Sequence, residues 1–297
     1  MTTRTWPRAQ RLDPDQILGR LANDRGLTLR FDGYCDGGQM GAVYVRDSQE
    51  RRFVLTRLLE TSTDRVRQIM AVHDVLAKRG YPLARYRKCA ELGTSVVVLQ
   101  ECLPGGILQY PNLDIVTRML ALIDAQRGTA AGLPTLTGTA LHLDEPGTTF
   151  CRHDTLRAHS RRSARLLSWI REVGKDTAPT TIGDDIVHFD FHAGNILVAD
   201  GSISGVVDWG GVCRGSRFFD LVTFRFGVSR SSGIPGVAQV GSEVIDHLDA
   251  MMTQVMVEDE FRRHWAHMSL RMADWSIRHF TPAVTEEWLT LAESHMH

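Results

Sequence analysis

The hydrophobic period of the chain changes once, at Leu103-Pro104-Gly105-Gly106, and that change constrains the fold more than any other feature. Before it, LTLRF (27–31), AVYVRD (42–47) and RRFVLTRL (51–58) alternate like half-buried strands, and TSVVVLQ (94–100) reads as a buried one. Two helices are expected among them. DPDQILGRL offers Asp13 as N-cap, Pro14 at the first helical position and Gln16 closing a capping box. A second helix begins near Ser62 or Thr63, shows Val66, Met70, His73 and Ala77 on one face, and stops at Gly80 and Pro82. After the break the spacing becomes helical: Ile115, Met119 and Leu122, then Leu156, Ser163, Leu167 and Ile170 in a helix over 154–173. SEVIDHLDAMMTQVM and FRRHWAHMSLRMADWSIRHF add two more. One β-rich island, NILVADGSISGVVDWGG, interrupts them as a hairpin around Asp200-Gly201. The expectation is an α+β protein of two lobes: β-rich over 1–99, a linker at 100–106, and mostly helical over 107–297. A chain of 297 residues is long enough to give such a unit a sizeable core.

Charge and cysteine content remove several classes. The 34 basic residues balance 35 acidic ones, which leaves no global electrostatic footprint for nucleic acid. Five cysteines, odd in number and without a CxxC pair, argue against a disulfide framework or a zinc ribbon and for a reducing compartment. MTTRTWPRAQ carries no apolar signal core, and no apolar run reaches membrane-spanning length. A cytoplasmic protein without membrane or nucleic-acid partners, monomeric or homodimeric, is expected.

The chemistry concentrates in HFDFHAGN, His188 to Asn195. On a regular strand His188, Asp190 and His192 would share a face and present three metal ligands, with His153 or His159 to join them. As a buried turn, the same residues would satisfy nearby backbone groups. The spacing His-x-Asp-x-x-x-x-Asn, followed by a hairpin and Asp208 in GVVDWGG, matches a third need. Phosphoryl transfer is mostly positioning and charge neutralisation. One carboxylate orients the acceptor hydroxyl and takes its proton; a second carboxylate and an amide oxygen hold Mg2+ against nucleotide phosphates. Asp190 suits the first role, and Asn195 and Asp208 the second.

HFDFHAGNIL, GVVDWG followed by GSRFFDL, and the order of elements over nearly the whole chain resemble the aminoglycoside phosphotransferase and choline kinase family, which has a protein-kinase-like fold. Phe189 and Phe191 stand where that family usually has glycine and leucine, and Ala193 where proline is common. The resemblance implies ATP or GTP and Mg2+ as cofactors and a small-molecule hydroxyl acceptor, an aminoglycoside or other basic antibiotic, inactivated by phosphorylation. It places His192 near the terminal phosphate, Gly37, Gly38 and Gly41 of DGGQMG in a glycine-rich cover, and Val54 against adenine. Gln100, Glu101 and Cys102 become the linker whose backbone pairs with adenine. Acids of the C-terminal helices, Asp246, Asp249, Glu258, Asp259 and Glu260, lie where relatives hold polycationic acceptors.

One family element is missing. Thr56 stands at the lysine position of RFVLTRL, and the following helix has no glutamate to pair with a lysine. Arg57, Arg67 and Lys88 are the replacement cations the sequence suggests, Arg57 through a bulge that would turn it inward. The competing expectations are a non-catalytic nucleotide-binding relative and the His/Asp metal-dependent enzyme.

Overall fold

The computed structural model describes residues 13–35, 42–59, 61–93, 95–175, 177–231 and 237–296. The chain divides into two compact units, one of residues up to Gly106 together with Leu197–Gly210, the other of Ile107–Ile196 together with the chain from Gly211 onward. Sequence order put 197–210 with the helices; its contacts put it with the sheet.

In the first unit, α1 (Pro14–Arg25) starts as expected, with Asp13 Oδ1 accepting the Gln16 N–H at 3.2 Å. Strands β1 (Arg30–Tyr34), β2 (Val43–Arg46), β3 (Arg52–Leu59), β4 (Tyr86–Leu92) and β5 (Ser95–Glu101) form one antiparallel sheet in the order β1-β2-β3-β5-β4. One sheet face packs Val43, Val45, Leu55, Ala90, Val97 and Leu99 against Ile17 and Leu21 of α1. Each fully buried side chain of this kind contributes about 1.5–3 kcal/mol. The other face meets α2 (Thr63–Ala77): the His73 ring stands edge-on to Tyr86 at 4.7 Å, and its Nδ1 accepts the Tyr86 N–H at 3.2 Å. Ser62 caps α2, accepting the Arg65 N–H at 3.2 Å. Its buried stripe is Val66, Ile69, Val72, His73 and Leu76, rotated from the expected one so that Met70 and Ala77 are only half-buried. Asp200 and Gly201 turn the hairpin of Ile196–Ala199 and Ser202–Val206 with φ of 49° and 73°, the left-handed pair that a two-residue turn demands.

The second unit contains α3 (Leu113–Ala125), α4 (His153–His159), α5 (Arg161–Lys175), β6 (Asp185–Val187), β7 (Cys213–Gly215), α6 (Phe218–Phe226), α7 (Ser242–Val255), α8 (Glu258–His279) and α9 (Pro282–Glu293). The single helix expected over 154–173 is two, broken at the extended Ser160. Ser163 explains the break, since its Oγ donates to the Leu156 carbonyl at 2.7 Å and so ties α5 back to α4. Strand β6 pairs antiparallel with β7 and delivers the chain directly to His188. Among the described residues no helix is long and apolar enough to cross a membrane.

Candidate active site

His188 to Asn195 is not a strand, so its alternate residues share no face. Phe189 has φ of 69°, a conformation that favours glycine, and the chain reverses there. Three things offset that strain. The Phe189 ring stacks on Phe219 of α6 at 4.7 Å and 7°. Its N–H and that of His188 donate to the two oxygens of Asp220, at 2.9 and 2.8 Å. Its carbonyl accepts from Arg271 Nη1 of α8 at 2.8 Å. Phe191 is fully buried, so both departures from the family's residues became core contacts.

This turn presents Asp190 between three partners. Arg271 Nη2 donates to Oδ1 at 2.6 Å, Asn195 Nδ2 to Oδ2 at 3.2 Å, and His192 Nε2 lies 3.5 Å from Oδ2. Burial opposes ionisation of Asp190, but Arg271 and then His192 outweigh it and hold the carboxyl well below the usual carboxylate range. Asn195 Nδ2 also donates to the Asp190 carbonyl at 2.9 Å, which turns its amide oxygen away from Asp190. His192 Nδ1 accepts the Gly194 N–H at 3.1 Å, so this ring also shapes the loop.

Asp220, contained in GSRFFDL, was assigned no role from the sequence. Fully buried, it accepts two backbone N–H groups of the loop, and burial pushes its carboxyl up to about 7. Arg271 was missed entirely. No local signal marks it, because it lies 81 residues from Asp190.

The three-ligand reading fails on geometry. His188 is fully buried, with Nδ1 accepting the Asp190 N–H at 3.3 Å, and His153 Nε2 bonds the His142 carbonyl at 2.8 Å. Among the described residues no group of three His, Cys, Asp or Glu side chains is arranged to hold a metal ion.

The first unit holds the other residues that the sequence singled out. Asp208 is exposed with φ of 63°, and the buried Trp209 next to it anchors the loop. Trp209 Nε1 donates to the Val206 carbonyl at 3.1 Å, and its ring meets His73 and Tyr81 at 5.7 Å each. On β3, Val54 pairs with Gln100 and Thr56 with Val98, on the sheet face that α2 covers. Leu55 and Arg57 point to the α1 face. The bulge expected to turn Arg57 inward is absent: β3 pairs with β5 residue for residue from Phe53 to Leu59. Lys88, opposite Leu99, also faces α1, and Arg67 is exposed in a 2.5 Å pair with Asp64. Glu101 is engaged in the sheet edge, its N–H donating to the Arg85 carbonyl at 3.0 Å and its carboxylate pairing with Arg87. Cys102 is a half-buried free thiol. Gly37, Gly38 and Gly41 lie outside the described residues.

A five-stranded antiparallel sheet, and a helical unit whose His-x-Asp loop is fixed by a buried aspartate, define a phosphotransferase of protein-kinase-like fold. Comparison with solved structures agrees. A thermostable mutant of aminoglycoside phosphotransferase APH(4)-Ia, in ternary complex with ADP and hygromycin B, superposes with a TM-score of 0.63 at 16% identity, over 95% of this chain and 98% of that one. Spectinomycin phosphotransferase APH(9)-Ia, in complex with ADP and spectinomycin, gives 0.59 at 13% identity over 96% and 94%. Macrolide 2'-phosphotransferase MphH from Brachybacterium faecium gives 0.50 at 14% over 95% and 98%. A comparison with curated protein sequences finds no match. The model of the phosphotransferase enzyme family, APH, matches residues 35–251, and the chain belongs to that family.

Proposed function

We propose that the protein transfers the terminal phosphoryl group of ATP or GTP to a hydroxyl of a small molecule, an aminoglycoside or other basic antibiotic in the first instance. The observation that carries this reading is Asp190. Its carboxylate is kept ionised by Arg271 on a loop held by Asp220, and an ionised carboxylate is what the acceptor hydroxyl needs to be oriented and to lose its proton. His192, 26% exposed beside Asp190, is assigned to the terminal phosphate.

Asn195 and Asp208 are assigned to Mg2+. The donor set fits: one carboxylate and one amide oxygen suit a hard cation that keeps phosphate oxygens as its other ligands. Mg2+ bound with the nucleotide would neutralise phosphate charge. Val54 and the backbone of Gln100, Glu101 and Cys102 are assigned to adenine, and the glycines of DGGQMG to the phosphate cover.

Neighbours of this fold bind hygromycin B and spectinomycin with nucleotide, which supports an antibiotic acceptor. Two contacts narrow it. Arg271 beside the base disfavours an ammonium next to the reacting hydroxyl, and Asp249 already accepts from Arg225 Nε at 2.6 Å. The acceptor's positive charges therefore lie away from the hydroxyl that is phosphorylated.

The test is nucleotide consumption with ATP and GTP against a panel of hydroxylated antibiotics, sugars and amino alcohols, with product mass measured. Acceptor-dependent consumption and a product heavier by one phosphoryl group are expected. Nucleotide binding without turnover on any acceptor would favour the non-catalytic relative.

A further inference from the structure

Strand β6, which leads into the Asp190 loop, and helix α6, which supports that loop, each lend the other a carboxylate. Asp220 of α6 accepts the N–H groups of His188 and Phe189 at 2.8 and 2.9 Å. Asp185 of β6, three residues before His188, reaches Arg217, three residues before Asp220. Its Oδ2 accepts from the Arg217 N–H and from Arg217 Nη1, each at 3.1 Å. Its Oδ1 accepts the Gly128 N–H at 2.7 Å. Arg217 Nη2 goes on to Asp124 Oδ1, in the last turn of α3, at 3.2 Å. The Asp185 and Arg217 side chains are only 13% and 11% exposed, so the pair is nearly buried, with the exposed Asp124 on its solvent side.

Such a pair adds little net stability, because desolvation of two charges offsets their attraction; what it can fix is register. Arg217 stands at the N-cap of α6 with no side-chain cap bond of its own. The Asp185 carboxylate caps the helix from another element, satisfying the Arg217 N–H and placing negative charge at the positive end of the helix. α6 cannot slide or rotate along β6 without leaving a buried guanidinium unpaired, which costs several times an ordinary hydrogen bond. Fixed register matters at Asp220, where two oxygens of one carboxylate must meet two adjacent N–H groups. It matters again at Phe189, whose φ of 69° would relax without those bonds.

We propose that Asp185 and Arg217 form a positioning pair for the loop that carries Asp190, acting through Asp220. What the pair does for turnover rests on the phosphotransferase reading; what it does for the loop does not. Hydrogen–deuterium exchange of the full-length protein is read at the His188 and Phe189 amides, with the Trp288 and Leu289 amides of α9 as reference. Arg217→Gln should speed exchange at 188 and 189 by about ten- to a hundredfold, the worth of a charge-assisted contact, and leave α9 unchanged. Arg217→Lys, which keeps a cation beside Asp185, should retain most of the protection. Equal acceleration at both places would mark a merely structural residue and overturn the inference, as would no change at either. If Arg217→Gln does not fold, Asp185→Asn, which keeps the side-chain volume, is read by the same criteria. With MgATP and an acceptor that the wild type phosphorylates, Arg217→Gln should lower kcat by a similar factor and leave the nucleotide KM unchanged. Full kcat with an unprotected loop overturns the inference. A wild type that phosphorylates nothing in the panel overturns the phosphotransferase reading, and the exchange measurement still decides whether the pair holds the loop.

Discussion

The loop His188–Asn195 and the strand Arg52–Leu59 are the same length, and each was expected to contribute to one reaction. They differ in what fixes their side chains. In the loop, direction is set by a positive φ at Phe189 and by braces arriving from α6 and α8, so residue identity and spacing survive as chemistry although the strand geometry does not. On β3, unbroken pairing with β5 fixes direction by alternation, and no neighbour can turn Arg57 to the other face. A loop can be rearranged around the side chains it presents, whereas a central strand cannot, so Arg57 stays on the α1 face.

The largest expected effect falls on the loop. Asp190→Asn should lower turnover by about 10²–10⁴-fold, the usual worth of general-base catalysis, while MgADP affinity holds. Near-normal turnover would remove the chemistry from the loop and dissolve the contrast with β3. Arg271→Met should come next. Losing a charge-assisted contact to the base is worth roughly 1.5–3 kcal/mol, so kcat should fall more than KM changes. The sign of the pH effect follows from Arg271 holding Asp190 below the ordinary range: without it the carboxyl ionises at higher pH, and the acid limb of kcat/KM moves upward. An unmoved limb would reduce Arg271 to a brace for the Phe189 carbonyl.

Asp220 sharpens the contrast through stability. Asp220→Asn removes one of two acceptors from buried N–H groups, at a cost of about 1–3 kcal/mol in thermal or denaturant unfolding. Its pH signature is opposite to that of Asp190. A carboxyl raised to about 7 in the folded chain contributes stability that is complete below the unfolded value near 4 and is lost as pH rises through about 7. The Asp190 contribution is present above the unfolded value and lost as pH falls below it. Wild type should therefore lose stability between about pH 4 and 7 through Asp220, and Asp220→Asn should flatten that slope. Equal slopes would mean that the Asp220 proton is not part of the loop's support.

What was legible in the sequence follows the range of the interactions. The switch of period at Leu103–Gly106, the Asp13 and Ser62 caps and the Asp200-Gly201 turn are local, and each was readable from a few residues. Asp190, Asn195 and Asp208 could be proposed together because their spacing is itself the motif. Arg271 was not, since nothing near it in sequence records its bond to a residue 81 positions away. The break at Ser160 was hidden by an apolar period that runs through both α4 and α5. The bond from Arg65 to the Gly210 carbonyl was hidden in the same way as that of Arg271, since 145 residues separate the two.

The smallest expected effect is the most direct test of the strand. Arg57→Ala should change MgADP affinity by no more than about 0.5 kcal/mol, the range of substitutions away from a site, because Arg57 lies on the face of Leu55 and the α1 core. Thr56→Lys, one residue away, points to the opposite face, the one that α2 covers. A lysine at 56 should tighten MgADP, since an ammonium on that face supplies the charge that the family resemblance puts there. A lysine placed at 57 instead should not tighten it, because alternation sends that side chain to α1. If Arg57→Ala weakened MgADP by about tenfold or more, the worth of a charge-assisted contact, β3 would have to shift its register when nucleotide binds. The strand would then be as rearrangeable as the loop, and the distinction between the two regions would fail.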